Sequence, residues 1–318
     1  MSATDKISAK EIIIVFIVLV AMGIGMFVTL GVFSRESEQK EQVVSDAGAK
    51  DPNNLEVYIK LLSVDPIKGD ATARLEFVPH GKLAAEDGTL SQDLKFSMPA
   101  VNGKNEVEMK KGKAIAAVDA TFSMYGGNAA DYPFDAHKAY FYLYADKVAP
   151  KKEEAPKPPP AEAHDSEQPT GHEAAKAEPE STEVPLDVSF FGSLPGYKIG
   201  VQKEKESDET YVAGDITIQR SGLTVAFSIF VAAVMWGLSL AVLFLVASLI
   251  IRGRKVEIAM FSFMAALLFA YYAVRNSQPN IPPIGVYGDF LSFFWAEILV
   301  GACLLVAVFT WVFRAAKS

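Results

Sequence analysis

The chain has 318 residues, half of them hydrophobic, and a formal net charge of −8, so it offers no basic surface and no nucleic-acid partner is expected. A single cysteine, Cys303, excludes an intrachain disulfide and leaves the compartment to be read from topology. The apolar residues gather at the two ends around a polar, acid-rich middle, the distribution of a membrane protein that carries a polar domain.

After Lys6 and Lys10, the apolar run from Ile12 to Phe33 exceeds the hydrophobic stretch of a cleavable signal and reaches the ~20 residues needed to cross a bilayer. Residues 1–33 are therefore expected to be a retained transmembrane anchor. Ala21, Gly25 and Thr29 recur at every fourth position, which places small side chains on one helical face where another helix can come close. Residues 34–54 are charged, lack apolar periodicity and are expected to form a tether.

From Leu55 the pattern changes to alternation: Leu55, Val57 and Ile59; Ala73, Leu75 and Phe77; Leu94, Phe96 and Met98; Val118, Ala120, Phe122 and Met124; Ala139, Phe141 and Leu143. Alternation bounded by Gly, Pro, Asn and Asp predicts short antiparallel strands. Further strands are predicted at 107–109, 188–190, 197–201 and 211–218. Residues 55–219 are thus expected to be an exported, immunoglobulin-like β-sandwich of eight or nine strands. Residues 149–184, rich in Pro, Ala, Lys and Glu, lack the apolar residues to build a core and are expected to be a disordered insertion in it. His164 and His172 within the insertion, and His80 and His137 beside Asp131 and Asp135, show no metal-ligand spacing, so no metal site is expected. In the loop Asp131-Tyr132-Pro133-Phe134-Asp135, Pro133 presets a turn, Phe134 can anchor it and Asp131 or Asp135 can accept backbone N–H groups, which predicts a structural loop.

The strand ending at Ile218 is separated by four residues from the apolar run Leu223–Ile251, so the β domain must sit close to the bilayer. Residues 223–318 are expected to form a three-helix transmembrane bundle, with Ala233, Gly237 and Ala241 as a second packing stripe on its first helix. Lys6 and Lys10, the Arg252–Lys255 cluster, and Arg314 with Lys317 all fall on one side if four helices cross. The positive-inside rule makes that side cytoplasmic and places residues 34–222 outside, in a multi-pass bacterial inner-membrane protein with both termini inside. Phe293, Phe294 and Trp295 at one end of the last span, and Trp311 and Phe313 at the other, are expected to form interfacial belts.

Glu297 lies seven residues past Phe290, about 10 Å along a helix axis. An acid at that depth must be neutral, paired or turned towards water. Arg275 is its expected partner, with Asp289 as competitor, in a salt bridge that clips two helices beneath a proline-rich loop.

The motifs Tyr-Pro-Phe-Asp (132–135), Gly-Ser-Leu-Pro-Gly-Tyr (192–197), Arg-Asn-x-x-Pro-x-x-Pro-Pro-Ile-Gly (275–285) and Phe-Phe-Trp-Ala-Glu (293–297) together resemble an uncharacterised family of bacterial and fungal membrane proteins catalogued as a domain of unknown function. The resemblance implies one anchor, an exported β domain and three closing spans, and supplies no activity. Pro-Phe-Asp in a β-domain loop ahead of membrane helices is also similar to pentameric ligand-gated channels, but an anchor precedes this domain and three spans follow it where those channels have four. No nucleophile–base set, phosphate-binding loop or dinucleotide fingerprint occurs, and no cofactor is expected. The leading expectation is a non-catalytic accessory or interaction subunit of a membrane assembly, in contact with lipid and with a membrane-protein partner or another copy of itself. A channel or transporter subunit using Arg275 and Glu297 comes second, and a membrane-anchored enzyme third.

Overall fold

The computed structural model describes residues 20, 23–35, 41–148 and 183–313. Ala21, His164, His172 and the terminal basic residues Lys6, Lys10, Arg314 and Lys317 lie outside them. Among the described residues ten strands form the β domain: β1 (Glu41–Ser45), β2 (Leu55–Asp65), β3 (Asp70–Pro79), β4 (Leu94–Ser97), β5 (Glu106–Met109), β6 (Val118–Tyr125), β7 (Ala136–Lys147), β8 (Leu186–Phe191), β9 (Tyr197–Lys203) and β10 (Tyr211–Arg220). Each strand predicted by alternation is present, with its apolar set turned inward. Leu55, Val57, Ile59 and Leu61 of β2 face Phe122, Phe141, Phe190 and Ile216 in one core, and Phe77 meets Phe96 edge-on at 4.8 Å. Each fully buried aliphatic or aromatic side chain of this kind contributes roughly 1.5–3 kcal/mol.

The sheet differs from the expected sandwich in three ways. Its strands follow one continuous path, β1-β8-β2-β3-β6-β7-β10-β9, with β4 added on β7 and β5 on β4. The reason is β6, which pairs with β3 through Val118–Ser123 and then with β7 through Met124 and Tyr125, so it joins what would otherwise be two layers. The ends of the path also meet, because the Gln42 amide donates to the Ile199 carbonyl at 3.3 Å and accepts from the Val201 N–H at 2.9 Å. The domain is therefore barrel-like. Second, β8 runs parallel to β2, an arrangement that requires a long connection; the 149–184 segment leads into it. Third, the expected tether at 34–54 contains β1, which pairs with β8 and buries Val44. Two valines among charged residues were too short a signal for periodicity. The expected insertion also ends early, since Glu183 bridges to Asp146 and Val184 is fully buried.

The helices are α1 (Gly23–Arg35), α2 (Gly222–Ile251), α3 (Ile258–Asn276) and α4 (Phe294–Phe313), the last entered through a π-helical turn at Asp289–Phe293. Three helical stretches, Gly222–Ile251, Ile258–Asn276 and Asp289–Phe313, are long and apolar enough to span a membrane, whereas α1 is a short apolar helix whose predicted continuation from Ile12 lies outside the described residues. Gly253 ends α2 in the left-handed conformation (φ 63°), where a residue without Cβ turns the chain at no steric cost. The bundle core joins Val231, Met235, Met264, Tyr271, Phe293 and Ala296. Phe293 thus belongs to the core and not to the expected interfacial belt, while Trp295 and Trp311 are exposed. The π-helical turn also presents the Leu291 carbonyl to Trp236 Nε1 at 3.0 Å.

Candidate functional site at the sheet–helix junction

Strand β10 runs almost without interruption into α2. Its inward positions continue Ile216, Ile218, Arg220, so period two carries an arginine into a buried place. Ser221 then caps α2, its hydroxyl accepting from the Thr224 N–H at 3.2 Å. Arg220 Nε donates to both oxygens of Asp135, at 2.9 and 3.1 Å, and its Nη1 donates to the Asn280 carbonyl at 3.1 Å. The guanidinium lies 4.8 Å from the Tyr132 ring centroid and 4.7 Å from that of Tyr197, close enough for cation–π attraction with both. Asp135 also meets His137 Nε2 at 3.1 Å. Burial pushes the Tyr132 and Tyr197 phenols above their ordinary pKa.

Tyr132 is the pin of the joint. Its hydroxyl lies 3.1 Å from Ser228 Oγ of α2 and donates to the Pro279 carbonyl at 3.3 Å, and its carbonyl accepts from the Gly288 N–H at 3.0 Å. Gly196 completes the contact from the other side: its carbonyl accepts from the Ser221 N–H at 2.9 Å and from Thr224 Oγ1 at 3.1 Å. The Tyr-Pro-Phe-Asp, Leu-Pro-Gly-Tyr and proline-rich motifs, distant in sequence, therefore meet at one place. Arg220 Nη2 and the Tyr197 hydroxyl are buried there without a hydrogen-bond partner among the described residues.

The hairpin between α3 and α4 holds a second ion pair. Arg275 Nε and Nη2 donate to Asp289 Oδ1 and Oδ2 at 2.9 and 2.8 Å, a bidentate fork of the strong kind. Nη2 also donates to the Pro282 carbonyl at 2.9 Å and Nη1 to Asn276 Oδ1 at 3.1 Å. Asp289 Oδ2 further accepts the Gly285 and Val286 N–H groups at 2.8 and 3.2 Å. Both residues are almost fully buried, and their bonds tie the proline loop to the two helix ends.

Residues 45–218 match the domain of unknown function DUF4436, more than half of the chain, and residues 220–314 match the domain of unknown function DUF8686. The chain belongs to the DUF4436 family. No curated protein matches it. The two matches adjoin at Arg220, so in this family member the Asp135–Arg220 pair crosses from one matched region to the other.

The remaining sequence-predicted residues fall into place around the junction. Pro133 follows a cis peptide bond after Tyr132. Phe134 is exposed and lies edge-on to Tyr287 at 6.3 Å. Asp131 is exposed, and the bond it makes to the turn is through its carbonyl, which accepts from the Phe134 N–H at 2.9 Å; Asp135 is the carboxylate that matters. The expected Arg275–Glu297 pair is corrected. Asp289 takes Arg275 because the π-helical turn and the bonds from Gly285 and Val286 hold its carboxylate against the guanidinium, and Glu297, half-buried one turn into α4, makes no ion pair among the described residues. Ala233, Gly237 and Ala241 are exposed on α2, whose packed face is Val231, Met235, Ser239 and Val242; Gly25 is exposed on α1. Among the described residues no group of three or more His, Cys, Asp or Glu side chains could hold a metal ion, and His80 meets Glu56 at 2.7 Å.

Arg220, Tyr132, Tyr197 and Asn280 were missed as site residues. The signal for Arg220 was an arginine in phase with the buried side of its strand. Tyr132 and Tyr197 belong to recognised motifs, but nothing in the spacing says that those motifs converge.

Proposed function

We propose that this chain is a non-catalytic integral membrane protein that acts as an interaction or accessory subunit of a larger membrane assembly, in contact with lipid and with a partner protein or another copy of itself. In this reading it crosses the bacterial inner membrane four times, the first crossing being Ile12–Phe33. Both termini and the Arg252–Lys255 cluster lie in the cytoplasm, and residues 34–222 lie outside.

The observation that carries the reading is the use made of the buried charges. Asp135–Arg220 fastens the sheet to the helices, and Arg275–Asp289 stiffens the loop that receives it. Side chains committed in this way hold a domain at a fixed height and angle, which is what a presenting or adapting subunit requires. The outward stripe of Ala233, Gly237 and Ala241 supports it, because small side chains facing away from a chain's own bundle let a further helix approach closely. A photo-crosslinking residue placed at Gly237 in growing cells tests this, read by mass spectrometry after purification in mild detergent. A discrete adduct with one protein or with a second copy is expected; a lone monomer without adduct contradicts it.

A further inference from the structure

Counting back ~20 residues, the length that crosses a hydrocarbon core, from Ile251 at the end of α2 and from Phe313 at the end of α4 reaches Val231 and Phe293. The two helices thus place the border of that core, on the side that carries the β domain, at one level of the bundle. The first turns of α2, Gly222–Phe230, stand above it, about 13 Å of helix at 1.5 Å per residue.

One loop of the β domain reaches down to this level. Phe134, in the turn between β6 and β7, is 54% exposed, and it lines a groove of about 50 Å³ together with Ile229 and Ala232 of α2 and Leu291 of the π-helical turn. An exposed phenylalanine on a polar domain is therefore level with residues at the edge of the lipid. Tyr287, edge-on to it, is also exposed, an aromatic residue suited to the interface.

The lining of the groove decides its occupant. Among its polar side chains, Tyr132 and Ser228 bond each other, Ser292 Oγ donates to the Gly288 carbonyl at 3.0 Å, and Asp289 is held by Arg275 and two backbone N–H groups. That leaves Gln278, just past the end of α3, whose side chain has no bond among the described residues. A polar solute would find one amide. A hydrocarbon chain finds Phe134, Ile229, Ala232 and Leu291, and an ester carbonyl at its head can accept from the Gln278 amide. Ile229 and Leu291 are themselves exposed, so the groove is continuous with the surface that these two spans turn to lipid.

We propose that the Tyr-Pro-Phe-Asp loop penetrates the membrane: Phe134 sits in the leaflet on the β domain's side, and the groove beside it is filled by a phospholipid acyl chain. Asp131, exposed three residues earlier, stays in the headgroup layer, because an unpaired carboxylate is costly in hydrocarbon; insertion is limited to the tip. The proposal needs α2 and α4 to cross the bilayer and is independent of sidedness and of any partner protein.

The test is electron paramagnetic resonance on the full-length protein in nanodiscs of phosphatidylethanolamine and phosphatidylglycerol, in a Cys303→Ser background. A nitroxide is attached in turn to Phe134→Cys, to Ile229→Cys and Leu291→Cys on the other walls of the groove, and to Val148→Cys, exposed just past the far end of β7. Circular dichroism establishes that each variant keeps its secondary structure. Relaxation is measured with oxygen, which concentrates in hydrocarbon, and with a water-soluble nickel chelate. Oxygen should be the stronger relaxant at the Phe134, Ile229 and Leu291 positions, and the order should reverse at Val148. Dominance of the chelate at any of the first three puts the groove in water, and a weak response to both reagents there means that protein covers it; either result overturns the proposal.

Discussion

Replacing Asp289 by Asn probes the hairpin pair with the least other damage. The amide keeps the size of the carboxylate and can still accept from the Gly285 and Val286 N–H groups, which lie 2.8 and 3.2 Å from Oδ2. It removes the charge opposite Arg275, leaving a guanidinium that is 2% exposed with, among the described residues, only the Pro282 carbonyl and Asn276 Oδ1 as full partners. Breaking a buried pair from one side costs about 3–5 kcal/mol, because the surviving charge is stranded. For a chain of this size that is a fall of about 6–20 °C in Tm, measurable by thermal unfolding in detergent. Exchanging both partners, Arg275→Met with Asp289→Leu, removes the stranded charge and should regain part of the loss. It should not regain all of it, since Gly285 and Val286 would then lack their acceptor. A fall of under about 2 °C for Asp289→Asn would mean that the pair is solvated or dispensable, and the stiffened loop would have to be abandoned.

Tyr132→Phe should cost about 1 kcal/mol through the bonds to Ser228 and Pro279, and Tyr132→Ala about 3–5 kcal/mol through the cavity it leaves, both read as falls in Tm. Gly196 holds φ at 86°, and a Cβ there would stand 3.2 Å from Asn280 Nδ2 and 3.3 Å from Thr224 Oγ1; Gly196→Ala should destabilise by about 1–3 kcal/mol, checked by the same melts. The hydrogen bond from Tyr58 to Glu56 pushes the Tyr58 phenol up to about 12. Because the unfolded value is about 10, the neutral phenol's contribution to stability is complete below pH 10 and fades as pH rises through about 12. An ultraviolet titration of wild type against Tyr58→Phe should show this late step, and Glu56→Gln should return it towards pH 10.

Strand positions were legible because period two marks the buried face directly: Leu55, Val57 and Ile59 of β2 point into the core as alternation requires. Alternation is silent on whether a sheet is split or continuous, which depended on two residues of β6, Met124 and Tyr125, crossing to β7. β1 escaped notice because its strand is five residues long and its hold on the domain comes partly from a polar side chain, Gln42. At the site, hydropathy located Arg275, Asp289 and Glu297 near the ends of spans but could not choose between the two acids. That choice follows from the π-helical turn, which sequence pattern does not announce, and from the glycine-bearing loop that delivers two N–H groups to Asp289. Asp135 and Arg220 lie 85 positions apart, so only the folded register of β7 and β10 brings them together.

The proposed topology is tested most directly by single-cysteine labelling in a Cys303→Ser background. Lys60 is exposed on the sheet and Gly253 is exposed in the turn between α2 and α3, and each is changed to cysteine in turn. With a membrane-impermeant maleimide applied to cells whose outer envelope has been opened, Lys60→Cys should label and Gly253→Cys should label only after lysis. Labelling of both positions from the same side would contradict a sheet held on the far face of the membrane from the basic turn.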